Sequence, residues 1–250
     1  MQNTYRIGQI VPSSNITMET EIPAMLSARE LIRPERFTFH SSRMRMKTVS
    51  KDELAAMDAE SDRCALELSD AAVDVMGYAC LVAIMSMGPG YHRESQQRLR
   101  GRTEENGCDT PVVTSAGALV DALGVLKAKR VVVVAPYMKP LTEMVVDYIR
   151  KEGVEVVDYC ALEIPNNLDV ARHDTDKLPE IVAGLDYSDV DAIVLSACVQ
   201  MPSLSAVSKV EAITGKPVVT AAIATTYAML KSLDLEPVVP GAGALLSGAY

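Results

Sequence analysis

A chain of 250 residues with 48% hydrophobic and 23% charged side chains can bury one large or two small cores. A formal charge of −9 excludes the basic surface that nucleic-acid phosphates require, and 4% aromatics without Trp leaves no base-stacking platform. Five Cys outside any dense framework read as reduced thiols of a cytoplasmic protein, and three scattered His with no Cys-x-x-Cys argue against zinc.

The N-terminus, Met1 to Arg6, starts no signal peptide, and no run approaches the roughly 20 apolar residues of a membrane span. Arg6 to Val11 is an apolar strand ending in the polar turn Pro12-Ser13-Ser14-Asn15, whose Ser and Asn also suit a helix cap. Arg36 to Ser41 is a second strand, and the basic run Arg43 to Lys47 reads as a solvated loop. Ser50 with Glu53 three residues on has the form of a capping box and opens a helix to about Ala72. Asp74 to Cys80 is the third strand. Met87 to His92 is a flexible connection whose glycines precede neither Gly-Lys-Ser/Thr nor a dinucleotide fingerprint. Arg93 to Asn106 is a polar helix ended by Gly107.

Pro111 to Thr114 is a short strand with a helix from Ser115 to Lys127 behind it. Lys129 to Ala135 contains four valines in a row, apolar enough to be covered on both faces as in a parallel sheet. A helix to about Glu152, a strand from Val154 to Cys160 and a helix from Thr175 to Leu185 lead to the strand that ends at Cys198. A helix begins at Pro202-Ser203, Pro217 to Thr220 is the last strand, and a helix follows to about Leu233. The tail around Pro240 to Gly243 reads as loose.

Strand and helix alternate throughout, the pattern of α/β architecture with mostly parallel sheets. The chain also echoes itself: Pro111-Val112-Val113-Thr114 and Pro217-Val218-Val219-Thr220 each precede a helix, and each follows a strand that ends in Ala-Cys. Two pseudo-symmetric α/β lobes with facing strand ends are expected. The first spans 1–115 and is completed by the segment near 217–250; the second spans 116–216.

Cys80 and Cys198 occupy matching frames, Gly77-Tyr78-Ala79-Cys80 and Leu195-Ser196-Ala197-Cys198. A single buried Cys is ordinary packing. Two at carboxyl strand ends, where such sheets bind ligands, suggest a facing pair. One thiolate can attack a carbon while the other thiol moves a proton. Backbone N–H groups after each Cys, where helices begin, would bind an anion without Lys or Arg. The expected substrate is a small carboxylate.

These segments together resemble the aspartate/glutamate racemase superfamily, and within it the maleate cis-trans isomerases. The resemblance is carried by Val11-Pro12-Ser13-Ser14-Asn15, Gly77 to Ala83 with Gly90-Tyr91-His92-Arg93, Ala135-Pro136-Tyr137, Asn167, and Ser196 to Gln200. It implies cofactor-independent isomerisation of maleate to fumarate, a small dicarboxylate as the only partner, no metal, and a homo-oligomer. It also implies Cys80 as nucleophile and Cys198 as proton donor. Asn15, Tyr137 and Asn167 would hold the carboxylates, with backbone donors at Leu81, Val82, Val199 and Gln200. Asn166 and Asn167 are barely separable by local sequence. In the racemases a Thr commonly follows the second Cys; here Val199 stands there, which disfavours an amino-acid substrate. The rivals are a racemase using both cysteines as acid and base on one carbon, a dicarboxylate-binding module without turnover, and, less favoured, an arylmalonate decarboxylase, a family that needs one Cys where this chain offers two.

Overall fold

The computed structural model describes residues 3–47 and 49–250. Met1 and Gln2, part of the N-terminus read above for a signal peptide, lie outside the described residues, as does Thr48. Two four-stranded parallel sheets form the frame. The first has β1 (Thr4–Pro12), β2 (Arg36–Met44), β3 (Val75–Tyr78) and β4 (Val112–Thr114) in the order β2-β1-β3-β4. The second has β5 (Arg130–Ala135), β6 (Glu155–Ala161), β7 (Ala192–Ser196) and β8 (Val218–Thr220) in the order β6-β5-β7-β8. The two orders are the same once each set is counted from its first strand. The sequence echo is therefore a repeated topology.

Helices cover the sheets: α1 (Met18–Glu30), α2 (Lys51–Asp70), α3 (Leu81–Ser86), α4 (Tyr91–Glu105), α5 (Ser115–Val125), α6 (Lys139–Lys151), α7 (Asn167–Val170), α8 (Leu178–Ala183), α9 (Leu204–Thr214) and α10 (Ala221–Ser232). The four valines of β5 are fully buried, as a strand sandwiched between helix layers must be. Thr114 and Thr220, the last residues of β4 and β8, each accept a hydrogen bond from the third residue of the following helix: Gly117 N at 3.1 Å and Ile223 N at 3.1 Å. Each half thus ends its fourth strand with the same cap. Ser50 caps α2 by accepting from Glu53 N, while Glu53 turns its carboxylate to Lys47 N.

The segment 217–250 divides between the halves. β8 pairs with β7 in the second sheet, whereas α10 packs against α1, β3 and β4 of the first half and also against α5. The tail is packed, contrary to its loose composition: Ala242, Leu245 and Leu246 are buried, with a 3-10 turn at Ala244–Leu246. Apolar area under a Gly-rich loop outweighs what the glycines suggest. Between Met87 and His92 the chain turns on two left-handed glycines, Gly88 and Gly90, and enters α4 two residues earlier than expected.

Candidate active site

β3 stops at Tyr78, and two residues later Cys80 takes a left-handed backbone, φ 84° and ψ 65°. A residue with a Cβ holds this conformation only against a cost of about 1–2 kcal/mol, so the surrounding structure must enforce it. It bends the chain directly into α3. The N–H groups of Leu81 and Val82 therefore lie in that helix's first turn, where no intrahelical acceptor exists.

β7 stops at Ser196, and Cys198 again follows two residues later. No helix begins there. α9 starts at Leu204 with Ser203 as its N-cap, where Pro202-Ser203 was expected to open a helix, so the N–H groups directly after Cys198 lie in a loop and not at a helix start as expected. Val199 to Ser203 forms a tight loop instead, braced by Ser196 Oγ donating to the Cys198 carbonyl at 2.8 Å. The N–H groups of Gln200 and Met201 point at the Cys198 sulfur. The matching frames thus diverge right after the cysteines.

Both thiols face one small pocket between the sheets, with room for about one water, ~20 Å³. It is lined by Asn15, Cys80, Val82, Tyr137, Asn167, Cys198, Val199 and Gln200, together with Pro12, Met46 and Val49. Of the expected site residues Leu81 alone is absent from the lining; its side chain is core, as anticipated, and only its N–H was in question. Met46 and Val49 were not expected. The basic run read as a solvated loop lies partly in β2, and Met46 is 3% exposed. Arg43 stays exposed and pairs with Glu19. Broader grooves elsewhere, such as one of about 570 Å³ bordered by Arg93, Arg100 and Lys231 and one of about 810 Å³ lined by Cys160, contain neither of the paired cysteines.

The polar side chains are held from behind. Asn15 Oδ1 accepts from Thr17 N and Met18 N, both at 3.0 Å, so it caps α1 while lining the pocket. The turn is thus both helix cap and pocket lining. Tyr137 follows β5, and its hydroxyl donates to the Ala197 carbonyl at 3.1 Å beside the Cys198 thiol. Asn167 Nδ2 donates to Ser14 Oγ at 2.8 Å across the two sheets. Asn166 is exposed and caps α7 through Leu168 N, so geometry separates neighbours that local sequence could not. Ser14 reads in the sequence only as turn material; its partner is 153 residues away, beyond any local signal.

Burial pushes the Cys80 thiol up to about 12, against the N–H of Ala83, with Cys198 and Asp58 adding to the rise. Burial also raises Cys198, opposed by the Tyr137 hydroxyl and the N–H groups of Gln200 and Met201. Tyr137 is raised well above its ordinary value for the same reason, so it stays a hydroxyl donor. Among the described residues no Lys, Arg, Asp or Glu lines the pocket. An anion inside it would be held by amides, a hydroxyl and backbone dipoles, which act strongly where water is excluded. Among the described residues no cluster of His, Cys, Asp and Glu could hold a metal, and no helix is long and apolar enough to cross a membrane.

A family model described as arylmalonate decarboxylase matches residues 7–246. A maleate isomerase of Pseudomonas putida is 76% identical over the full length of both chains. A maleate isomerase from a second Pseudomonas putida strain, solved as a cysteine-to-alanine variant with maleate, superposes with a TM-score of 0.98 at 70% identity, covering 99% of each chain. A cysteine-to-serine variant of the Nocardia farcinica maleate cis-trans isomerase, carrying a covalently bound succinylcysteine intermediate, superposes at 0.95 with 47% identity over 99% of this chain and 100% of that one.

Proposed function

The chain belongs to the arylmalonate decarboxylase family, and from that premise and its maleate isomerase relatives we infer that it isomerises maleate to fumarate. The observation that carries the reading is the pair Cys80 and Cys198, presented by equivalent strands to one pocket that also holds Asn15, Tyr137 and Asn167. A racemase's ammonium group would find no carboxylate among the side chains lining that pocket.

Maleate's double bond cannot rotate, so the reaction removes it for a moment. Cys80 thiolate adds to C2, forming a C–S bond, and the π electrons move onto the C3 carboxylate as an enediolate. Asn15, Tyr137, Asn167 and the N–H groups of Leu81, Val82, Val199 and Gln200 stabilise the negative charge. Cys198 then gives its proton to C3, leaving a succinyl thioether on Cys80 and a thiolate at Cys198. The C2–C3 bond is now single, and rotation separates the two carboxylates. Cys198 thiolate takes a proton back from C3, and the C–S bond breaks to release fumarate. Burial holds Cys80 as a thiol in the empty pocket, so it gives up its proton to solvent before the attack. From that point the cycle starts and ends with thiolate at Cys80 and thiol at Cys198, so turnover consumes no proton and calls for no cofactor.

The same reading divides the molecule into lobes 1–115 and 116–216, with α10 and the tail, in 217–250, serving the first. It places the protein in the cytoplasm as a homo-oligomer, five unpaired cysteines suiting a reducing compartment. The test is mass spectrometry of maleate-treated protein, quenched and digested. A succinyl increment on the Cys80 peptide, and none on the Cys198 peptide, is expected. An adduct on Cys198 alone reverses the roles, and turnover without an adduct, even in the Cys198→Ser variant, removes nucleophilic addition.

A further inference from the structure

Gln200 lines the pocket beside Cys198, and its backbone N–H is already assigned a part. Its side chain is occupied elsewhere. Nε2 donates to the Ser14 carbonyl at 2.9 Å and to the Asn167 carbonyl at 2.9 Å. Oε1 accepts from Ile16 N at 2.9 Å and Thr17 N at 3.4 Å. A primary amide has two N–H donors and two acceptor lone pairs, so its capacity is used up. Gln200 is 3% exposed, and nothing of this amide remains for a substrate.

The four partners are informative. Ser14 and Ile16 flank Asn15 on either side, and both bond to the same amide. Asn167 is held through its own carbonyl, while its side chain reaches Ser14 Oγ. Asn15 belongs to the loop after β1 in the first sheet, and Asn167 opens α7, which follows β6 of the second. One carboxamide on the Cys198 loop therefore ties together the backbones of two side chains from opposite lobes.

We propose that the Gln200 carboxamide is a positioning residue that sets the spacing between Asn15 and Asn167, and so fixes the separation at which the site grips two carboxylates. This rests on the maleate isomerase reading. It requires an amide. A Glu at this place could still accept from Ile16 and Thr17, but its carboxylate would face the Ser14 and Asn167 carbonyls with no proton to give. A Met would keep the volume and lose all four bonds.

The experiment is a double-mutant cycle with Gln200→Met and Gln200→Glu against Asn15→Ala and Asn167→Ala. It reads maleate kcat/KM, the inhibition constant of succinate as an unreactive dicarboxylate, and the rate at which neutral iodoacetamide alkylates Cys80. Gln200→Met is expected to lower kcat/KM by roughly tenfold to a hundredfold and to weaken succinate in step, with Gln200→Glu worse. Because Gln200 acts through the asparagines, each double variant should fall less than about fivefold below its worse parent. Iodoacetamide, which carries no carboxylate, should react within about twofold of the wild-type rate, since Cys80 lies outside this network. Fully multiplicative losses would show that Gln200 acts independently and overturn the proposal. Faster iodoacetamide labelling together with a lower Tm would show general loosening and overturn it too. Wild-type protein that binds succinate yet leaves maleate unchanged would defeat the isomerase reading instead, and the succinate cycle would still decide the spacing role.

Discussion

The proposed chemistry asks for a cysteine at position 80, yet the backbone there would suit glycine. The left-handed φ of 84° is compulsory for the turn from β3 into α3, and the Cβ makes it costly. Comparing Cys80→Gly with Cys80→Ala isolates that cost, since both delete the sulfur and only one keeps the Cβ. Cys80→Gly should be the more stable of the two by about 1 kcal/mol in urea titration, and neither should turn over maleate. Equal midpoints would mean the turn is relaxed. At this scale the sequence was informative wherever a side chain carries chemistry: Cys80, Cys198, Asn15, Tyr137 and Asn167 all reach one pocket. Met46 and Val49 escaped notice because an apolar residue looks the same whether it lines a site or fills a core. Asn166 and Asn167 were inseparable until the start of α7 turned one outward and the other inward.

Strands and helices were legible because parallel strands covered on both faces leave unbroken apolar runs, and Thr114 and Thr220 mark the ends of two of them. The start of α9 was legible at Pro202-Ser203; what holds the loop before it was not, because its partner is remote. Glu21 on α1 accepts from Ser203 N at 2.6 Å and Leu204 N at 2.7 Å, capping α9 from 182 residues away. Its other oxygen, Oε2, is buried without a partner. Burial raises the Glu21 carboxyl above its ordinary 4.5, against the two N–H groups that favour the anion. The folded protein thus holds this proton more tightly than the unfolded chain. The stabilising contribution is full below pH 4.5 and disappears as pH rises through the elevated value. Glu21→Gln keeps the acceptor for both N–H groups and removes the charge. It should match the wild type near pH 4 and exceed it in denaturation midpoint at pH 7. A variant less stable at pH 7 would show that the ionised carboxylate stabilises α9 more than its burial costs.

Across the whole molecule, two sheets of the same strand order face each other, and a short repeated segment was enough to suggest it. The ties between them were invisible in the sequence. His92 meets the Tyr148 hydroxyl at 2.5 Å, Arg93 grips Glu152 with both guanidinium nitrogens, and Gln200 and Glu21 reach across from the other side of the cleft. Such contacts join residues far apart in the chain, and nothing local announces them. So clamped, the cleft has room for about one water, ~20 Å³, whereas the substrate is a dianion of four carbons. Entry and exit must then be mechanical events, with Met46 and Val49 or a whole lobe swinging aside against the drag of the solvent. Friction becomes a kinetic variable. Maleate kcat should fall as sucrose thickens the medium and hold steady in a polymer of equal bulk viscosity that leaves small-scale motion free. A rate indifferent to both would place the slow step in bond making, with the gate keeping ahead of it.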